Sequence, residues 1–144
     1  MNQEDKELLL KDLCARLPYR VKCKVTKRSI DGEMLFIRNG LELTIYNVKA
    51  LVTNNMYEVK PYLFPFSSMT NEQKSELNKK FNVQFSGNDI HSIHYHFEGC
   101  WDTDLELDLQ DWLWFINWCY KNHFDVNNLI EKGLAVDATG LSIY

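Results

Sequence analysis

The chain has 144 residues, of which 45% are hydrophobic and 13% aromatic, and its formal net charge is −4. These totals predict one folded domain over residues 1–144, and the acidic balance argues against a general nucleic-acid binder, which is usually basic. No apolar run approaches the ~18 residues that span a bilayer, and the opening MNQEDKE lacks the basic region of a signal peptide, so we expect a cytoplasmic protein. In that compartment four widely spaced cysteines favour free thiols.

The N-terminal part of the chain predicts a helix followed by a strand. Residues 4–17 place leucines on one helical face, begin with acidic side chains and end at Pro18. Residues 20–28 then alternate between apolar and basic side chains, as expected of a strand with one buried face.

Two turn signals predict a meander of antiparallel strands after this first strand. Asn39-Gly40 is typical of a type I′ turn, whose two central residues need positive φ, and it predicts a hairpin over residues 33–46. Asn54-Asn55 is a weaker turn signal between the predicted strands VKALVT and MYEVK. The run of strands is expected to end at Pro61, and the apolar segment PYLFPFSSM should pack across the sheet.

A second helix and two further strands are predicted in the middle of the chain. The helix covers residues 70–81 and opens with Thr70 and Gln73, which form a capping box. Residues 83–85 and 91–97 read as short strands.

The stretch from Leu105 to Leu134 is the longest helix-periodic segment and holds three of the four tryptophans. Its predicted core-facing stripe consists of Leu105, Leu109, Trp112, Leu113, Ile116, Cys119, Tyr120 and His123. The opposite face carries Leu107, Trp114 and Trp118, which indicates either cover by another part of the chain or a protein interface. Asp125 is placed to cap a short final helix, and Gly133 to end it in a left-handed conformation.

Together these elements predict an α+β fold. An antiparallel sheet of five or six strands, starting with the N-terminal meander, should pack on the C-terminal Trp-rich helix, with the two other helices at its edges.

One candidate metal site involves His94 and His96, which are two residues apart on one predicted strand face. Both imidazoles could reach one ion, with Asp102, or else Cys100 or Asp104, as a third ligand. The alternative is that they are ordinary surface histidines, since this spacing is common in strands without a metal. The sequence implies no organic cofactor.

Charge is segregated along the chain. Residues 16–28 contain no acid, and residues 98–111 contain six acids and no base. The basic strand could follow a phosphate backbone or meet an acidic protein, or its charges could protect an edge strand or face the acidic segment. The basic patch is made of Arg20, Lys22, Lys24, Lys27 and Arg28.

Cys119 and His123 are predicted to share a helix face at i, i+4, a spacing that would suit a nucleophile and its base. That face is the predicted core stripe, where a thiol is inert, so we predict no catalytic residue there. The common phosphate-binding, esterase and metalloprotease motifs do not occur in the sequence.

Three stretches resemble short uncharacterised proteins encoded by gut Bacteroidetes and their phages. They are LLLKDLCARLPY at 8–19, KPYLFPFSSMT at 60–70 and NHFDVNNLIEKGLA at 122–135. The chain departs from the family pattern at Arg20, Phe64 and residues 126–128. Because the family carries no established activity, the resemblance implies an origin and a compartment and transfers no site residue.

The sequence thus favours a small protein-interaction or adaptor module of phage or mobile-element origin. It would act through an unidentified protein partner or by self-association. The alternative is a metal-dependent or nucleic-acid-directed activity that uses His94, His96 and the basic strand.

Overall fold

The computed structural model describes residues 1–81 and 109–144. Within these ranges the helices are α1 (Gln3–Arg16), α2 (Ile45–Thr53), α3 (Asn71–Phe81) and α4 (Leu109–Lys121). The strands are β1 (Lys22–Arg28), β2 (Met34–Glu42), β3 (Tyr57–Leu63) and β4 (Val136–Asp137). Two 3₁₀ turns, Leu17–Tyr19 and Phe66–Ser68, follow α1 and β3. The predicted α+β class is confirmed.

The four described strands form one mixed sheet in the order β2-β1-β3-β4. β1 pairs antiparallel with both β2 and β3, whereas β4 pairs parallel with β3. The purely antiparallel sheet of five or six strands is therefore corrected to a mixed sheet of four in the described residues. The strands predicted at 83–85 and 91–97 lie outside those residues.

The hairpin predicted at Asn39-Gly40 is wrong, because both residues lie inside β2. They stand together opposite the single residue Lys24, which makes a bulge, and Gly40 has a φ of 68°. A glycine with positive φ suits a bulge as well as a type I′ turn, so the local signal was ambiguous. The chain reverses earlier, where Ser29 donates its backbone N–H to the carbonyl of Glu33 at 2.7 Å.

The strand predicted at VKALVT is also wrong, because these residues belong to α2. Thr44 and Asn47 form a capping box at its start, with the Thr44 backbone N–H donating to Asn47 Oδ1 at 2.9 Å. Val48 and Leu51, three residues apart, are both buried. The capping box and the helical spacing of the buried residues outweigh the β-propensity of the valines, so the segment forms a helix.

The short helix predicted after Asp125 is wrong, because that segment forms turns, whereas the predicted N-terminal helix, the first strand and the second helix are present. α1 and β1 match the predicted N-terminal helix and strand, and β3 continues through Pro61 instead of stopping there. The capping box of α3 is formed: the Thr70 backbone N–H donates to Gln73 Oε1 at 2.9 Å, and the Gln73 backbone N–H donates to Thr70 Oγ1 at 3.3 Å.

Helix α4 buries a different face from the predicted one. Phe115 and Trp118, which lie outside the predicted stripe, are buried, whereas Leu109 and Leu113 of that stripe are exposed. Cys119 is buried as predicted. The buried stripe therefore lies about one residue, or ~100° of helical rotation, from the predicted stripe. The physical reason is aromatic packing, because Phe124 stacks on Trp118 at 5.5 Å and Phe66 stacks on Phe115 at 6.4 Å.

The buried apolar residues form two clusters. The first joins α1, α2 and one face of the sheet, and its members are Leu9, Leu13, Val21, Cys23, Val25, Leu43, Val48, Leu51, Val59, Leu63, Leu129, Leu134 and Ala135. The second joins α3 and α4, and its members are Met69, Leu77, Phe81, Phe115, Trp118, Cys119, Phe124 and Val126. The sheet is thus supported by the first cluster, and α4 by the second.

Candidate functional site

The predicted metal ligands His94, His96 and Asp102 lie outside the described residues, as does Leu107 of the predicted interface. Within residues 1–81 and 109–144, no group of three or more His, Cys, Asp or Glu side chains is arranged to hold a metal ion. The metal site stays a prediction.

The predicted basic patch lies on an inner strand, because β1 is between β2 and β3. Protection of an edge therefore does not explain its charges. Glu42 on β2 is 3.8 Å from Arg20 and 4.0 Å from Lys22, while Lys27 lies over the ring of Tyr57 at 5.3 Å. Three of the five basic side chains, Arg20, Lys22 and Lys27, therefore lie near an acidic or an aromatic side chain.

The two tryptophans of the predicted interface have different environments. Trp118 is only 5% exposed and stacks on Phe124, which matches the alternative of cover within the chain. Trp114 is partly buried and meets Phe81 edge-to-face at 5.6 Å. A shallow groove of about 260 Å³ remains beside them, lined by Tyr19, Glu76, Trp114, Asn117, Trp118 and Lys121.

Sequence reasoning missed a buried ion pair between Asp12 and Arg16 on α1. Arg16 Nε and Nη2 donate to the two carboxylate oxygens of Asp12 at 2.6 and 3.0 Å, and both side chains are fully buried. Arg16 Nη2 also donates to the backbone carbonyl of Phe124 at 2.7 Å, and Asn127 Nδ2 donates to Asp12 Oδ1 at 2.9 Å. The ring of Tyr120 lies 4.8 Å from the guanidinium carbon. The sequence contained a signal for this ion pair, because Asp12 and Arg16 have i, i+4 spacing on the helix face that carries the buried leucines.

This ion pair lies where the three stretches that carry the family resemblance meet. Asp12 and Arg16 belong to the first stretch, and Phe124 and Asn127 belong to the third. The middle stretch joins through Phe64, whose backbone N–H donates to the carbonyl of His123 at 2.9 Å and whose carbonyl accepts from the N–H of Asp125 at 2.9 Å. The three stretches therefore meet at a buried structural junction.

Cys119 and His123 are packed in this junction. Burial raises the pKa of the Cys119 thiol well above its usual range, so the thiol is protonated at neutral pH. Burial, and secondarily the charge of Arg16, lowers the pKa of His123 to about 4, and its ring stacks on Tyr144 at 4.2 Å. A protonated buried thiol and a stacked neutral imidazole are groups of a packed core and not an activated nucleophile and its base, and α4 ends at Lys121, before His123.

The most unusual exposed surface is the first half of β2, residues 34–38. β2 is an edge of the sheet, and in the part of the chain that the structure describes no strand pairs with its outer side. Leu35 and Ile37 are 54% and 42% exposed, and Met34 is exposed as well. Charged residues, prolines and bulges normally protect such an edge from pairing with another chain.

The pairing of β2 with β1 has two irregularities. Leu35 is an extra residue between Met34, opposite Arg28, and Phe36, opposite Lys27, and Asn39-Gly40 form the second bulge. Arg38 is the single charged residue of the MLFIR segment. On the core face Phe36 packs edge-to-face on Tyr57 at 6.4 Å, with the Arg38 guanidinium over the Phe36 ring at 5.3 Å. The segment is thus held in place on one side and open on the other.

Sequence reasoning missed this surface because it paired residues 33–38 with residues 41–46 in a hairpin. The apolar alternation then appeared to be satisfied within the chain. The bulge places residues 34–42 in one strand, so the outer side of that strand is left without the predicted partner.

Comparison of the chain with protein-family models, curated proteins and solved structures gives no match. Among the described residues no helix combines the length and the apolar character needed to cross a membrane.

Proposed function

We propose that this protein is an interaction module that binds an extended segment of a partner protein as an additional strand beside β2. The observation that carries the proposal is the free edge of residues 34–38 with Leu35 and Ile37 exposed on it. In strand addition the main-chain hydrogen bonds supply affinity, and alternate side chains supply specificity.

The exposed side chains define the partner segment. Leu35 and Ile37 are both apolar and exposed, so they favour a partner segment with apolar side chains. Arg38 is the nearest charge, and it lies on the opposite face beside Phe36. The matching partner segment is therefore apolar and carries little charge over about five residues.

The edge is already formed before binding. β2 is paired with β1 from Met34 to Glu42, with irregularities at Leu35 and at Asn39-Gly40, and β1 is held on its other side by β3. The ordering entropy of strand addition is consequently paid mainly by the partner, which favours binding by a preorganised surface.

The motif resemblance supports a phage or mobile-element origin and a cytoplasmic location as parts of this proposal. The departures from the family pattern at Phe64 and residues 126–128 lie outside β2, and Arg20 contacts β2 at Glu42, outside residues 34–38.

Affinity capture with matched baits tests the proposal. Wild-type protein and the variants Ile37→Lys and Leu141→Lys are used, because Leu141 is similarly exposed but lies far along the chain, after β4. We expect Ile37→Lys to lose a partner that the other two baits retain. Hydrogen exchange of the captured complex should then show protected backbone amides in residues 34–38, and a complex with no added protection there would refute strand addition.

A further inference from the structure

The outer edge of β3 is only partly covered by β4. β4 pairs with Tyr62 and Leu63, so within the described chain residues 57–61 have no strand on that side. A cavity of about 280 Å³ is lined by all four residues from Tyr57 to Lys60. Because successive residues of a strand point to opposite faces, a cavity that touches all four lies along the edge of the strand. Its apolar wall includes the buried side chains of Leu9, Leu51 and Leu134.

The pairing of β3 with β1 shows which backbone groups face this β3 cavity. The N–H of Arg28 donates to the carbonyl of Met56 at 2.9 Å, and the register of the two strands continues from there without a shift. Alternate residues of a strand bond to the same neighbour, so the even-numbered residues of β3 bond to β1. Tyr57 and Val59 therefore direct their N–H and C=O groups to the outer side.

Two observations farther along β3 agree with this alternation. The carbonyl of Leu63, another odd-numbered residue, accepts from the N–H of Ala138 at 2.8 Å on the outer side. Pro61 also occupies an outward position, where the missing N–H of proline removes no bond to β1.

The N–H of Val59 is a buried donor, and no group of the described residues accepts from it. Val59 is 0% exposed, and a buried N–H is normally paired. The N–H of Tyr57 donates to the carbonyl of Asn54 at 3.1 Å, and Pro61 has no N–H. The open part of the edge thus offers one N–H beside the carbonyl of Tyr57. One donor is too few for the ladder of an added peptide strand, whereas it suits a small ligand with one acceptor beside one donor.

The size and charge of the β3 cavity restrict the ligand further. Its volume is near the lower end of the roughly 300–1,000 Å³ of small-molecule pockets. Among its charged lining residues, Glu58 and Lys60 form an ion pair at 3.0 Å, so their charges offset each other. A small, largely apolar ring with an amino group beside a ring nitrogen meets these conditions.

We propose that the β3 cavity binds an amino-substituted heterocyclic base of the adenine type. Its ring nitrogen accepts from the N–H of Val59, its amino group donates to the carbonyl of Tyr57, and its ring contacts the leucines. The cavity lies on the side of β3 away from β2, so this inference does not depend on the proposed function.

Amide NMR of the isotope-labelled chain tests the binding, with 9-methyladenine as the probe. We expect a saturable shift of the Val59 amide and a dissociation constant of about 0.1–1 mM. The 6-dimethylamino analogue keeps the ring nitrogen and lacks the amino donor, so it should bind at least about tenfold more weakly. An unshifted Val59 amide in the millimolar range, or equal affinity for the two compounds, overturns the inference.

Two substitutions of one residue test the donor. Val59→Pro removes the outward N–H without removing a bond to β1, as Pro61 already does, and it should abolish binding. Val59→Ala is the matched control, because it shortens the same side chain and keeps the N–H, so it should still bind. Val59→Pro that binds as well as Val59→Ala refutes the assignment. Circular dichroism melts show whether each variant folds, and if Val59→Pro does not, the two compounds decide the question on the wild type.

Discussion

The guanidinium of Arg16 and the carboxylate of Asp12 form a two-point ion pair with no exposure to solvent. The pair joins α1 to the backbone of Phe124 and to the side chain of Asn127, so an element near the start of the chain is locked to a segment more than 100 residues later. Its loss should therefore affect the whole fold and not a local turn.

We expect Asp12→Ala to lower the free energy of unfolding by about 3–5 kcal/mol, because it leaves the buried Arg16 charge without its counter-charge. Urea denaturation measures the change. The double variant Asp12→Leu with Arg16→Met removes both charges and should be clearly more stable than Asp12→Ala. If the single variant is as stable as the wild type, the pair does not hold the junction together.

Stability should depend on pH through His123. Its pKa is lowered from 6.5 to about 4 in the folded protein, so the unfolded chain binds more protons between those two values. The free energy of unfolding therefore keeps the His123 contribution above about pH 6.5 and loses it as the pH falls toward 4.

His123→Asn is the matched variant for this measurement, since His123 has a φ of 61° and asparagine tolerates that conformation. Urea denaturation at pH 7.5 and at pH 4.5 should show a larger loss for the wild type than for the variant. Equal losses would mean that other groups control the acid sensitivity.

The buried face of α4 can be checked by two substitutions on the same helix. Trp118→Ala should destabilise the protein by about 3–5 kcal/mol, because it removes a buried ring that stacks on Phe124. Leu113→Ala should change stability by only about 0.5 kcal/mol, since Leu113 is 45% exposed. Thermal melts of the two variants test which face of α4 is buried. A larger loss of stability for Leu113→Ala than for Trp118→Ala would support the predicted face instead.

Gly133 should tolerate asparagine better than alanine. It has a φ of 69°, and an added Cβ would meet no atom within 4 Å, so the cost of a side chain is one of backbone conformation. We expect Gly133→Ala to cost about 1 kcal/mol of stability and Gly133→Asn to cost less. Chemical denaturation of both variants measures the difference, and an alanine variant as stable as the wild type would contradict this account.

Several features could be predicted from neighbours within a few residues. The Thr70–Gln73 cap, the left-handed Gly133 and the alternation of β1 depend on short-range geometry, and all three are confirmed. The capping role of Asp125 also depends on near neighbours. Its carboxylate accepts hydrogen bonds from the backbone N–H groups of Leu129 and Ile130 at 2.8 Å, although the segment forms a turn and not the predicted helix.

Other features depended on contacts between distant parts of the chain. Asn39-Gly40 suits either a turn or a bulge, and the choice was made by the pairing of β2 with β1. The periodicity of α4 allowed several buried faces, and the rings of Phe66 and Phe124 selected one.

The amino-acid sequence by itself determined the α+β class, the ends of α1 and α3 and the capping chemistry, because those depend on dihedral preferences and hydrogen bonds between near neighbours. Only the tertiary structure decided that β2 is an edge strand among residues 1–81 and 109–144, with Leu35 and Ile37 exposed. The order of strands in a sheet is set by contacts between residues far apart in sequence. The alternation of side chains within one strand is the same whether or not another strand pairs with its edge.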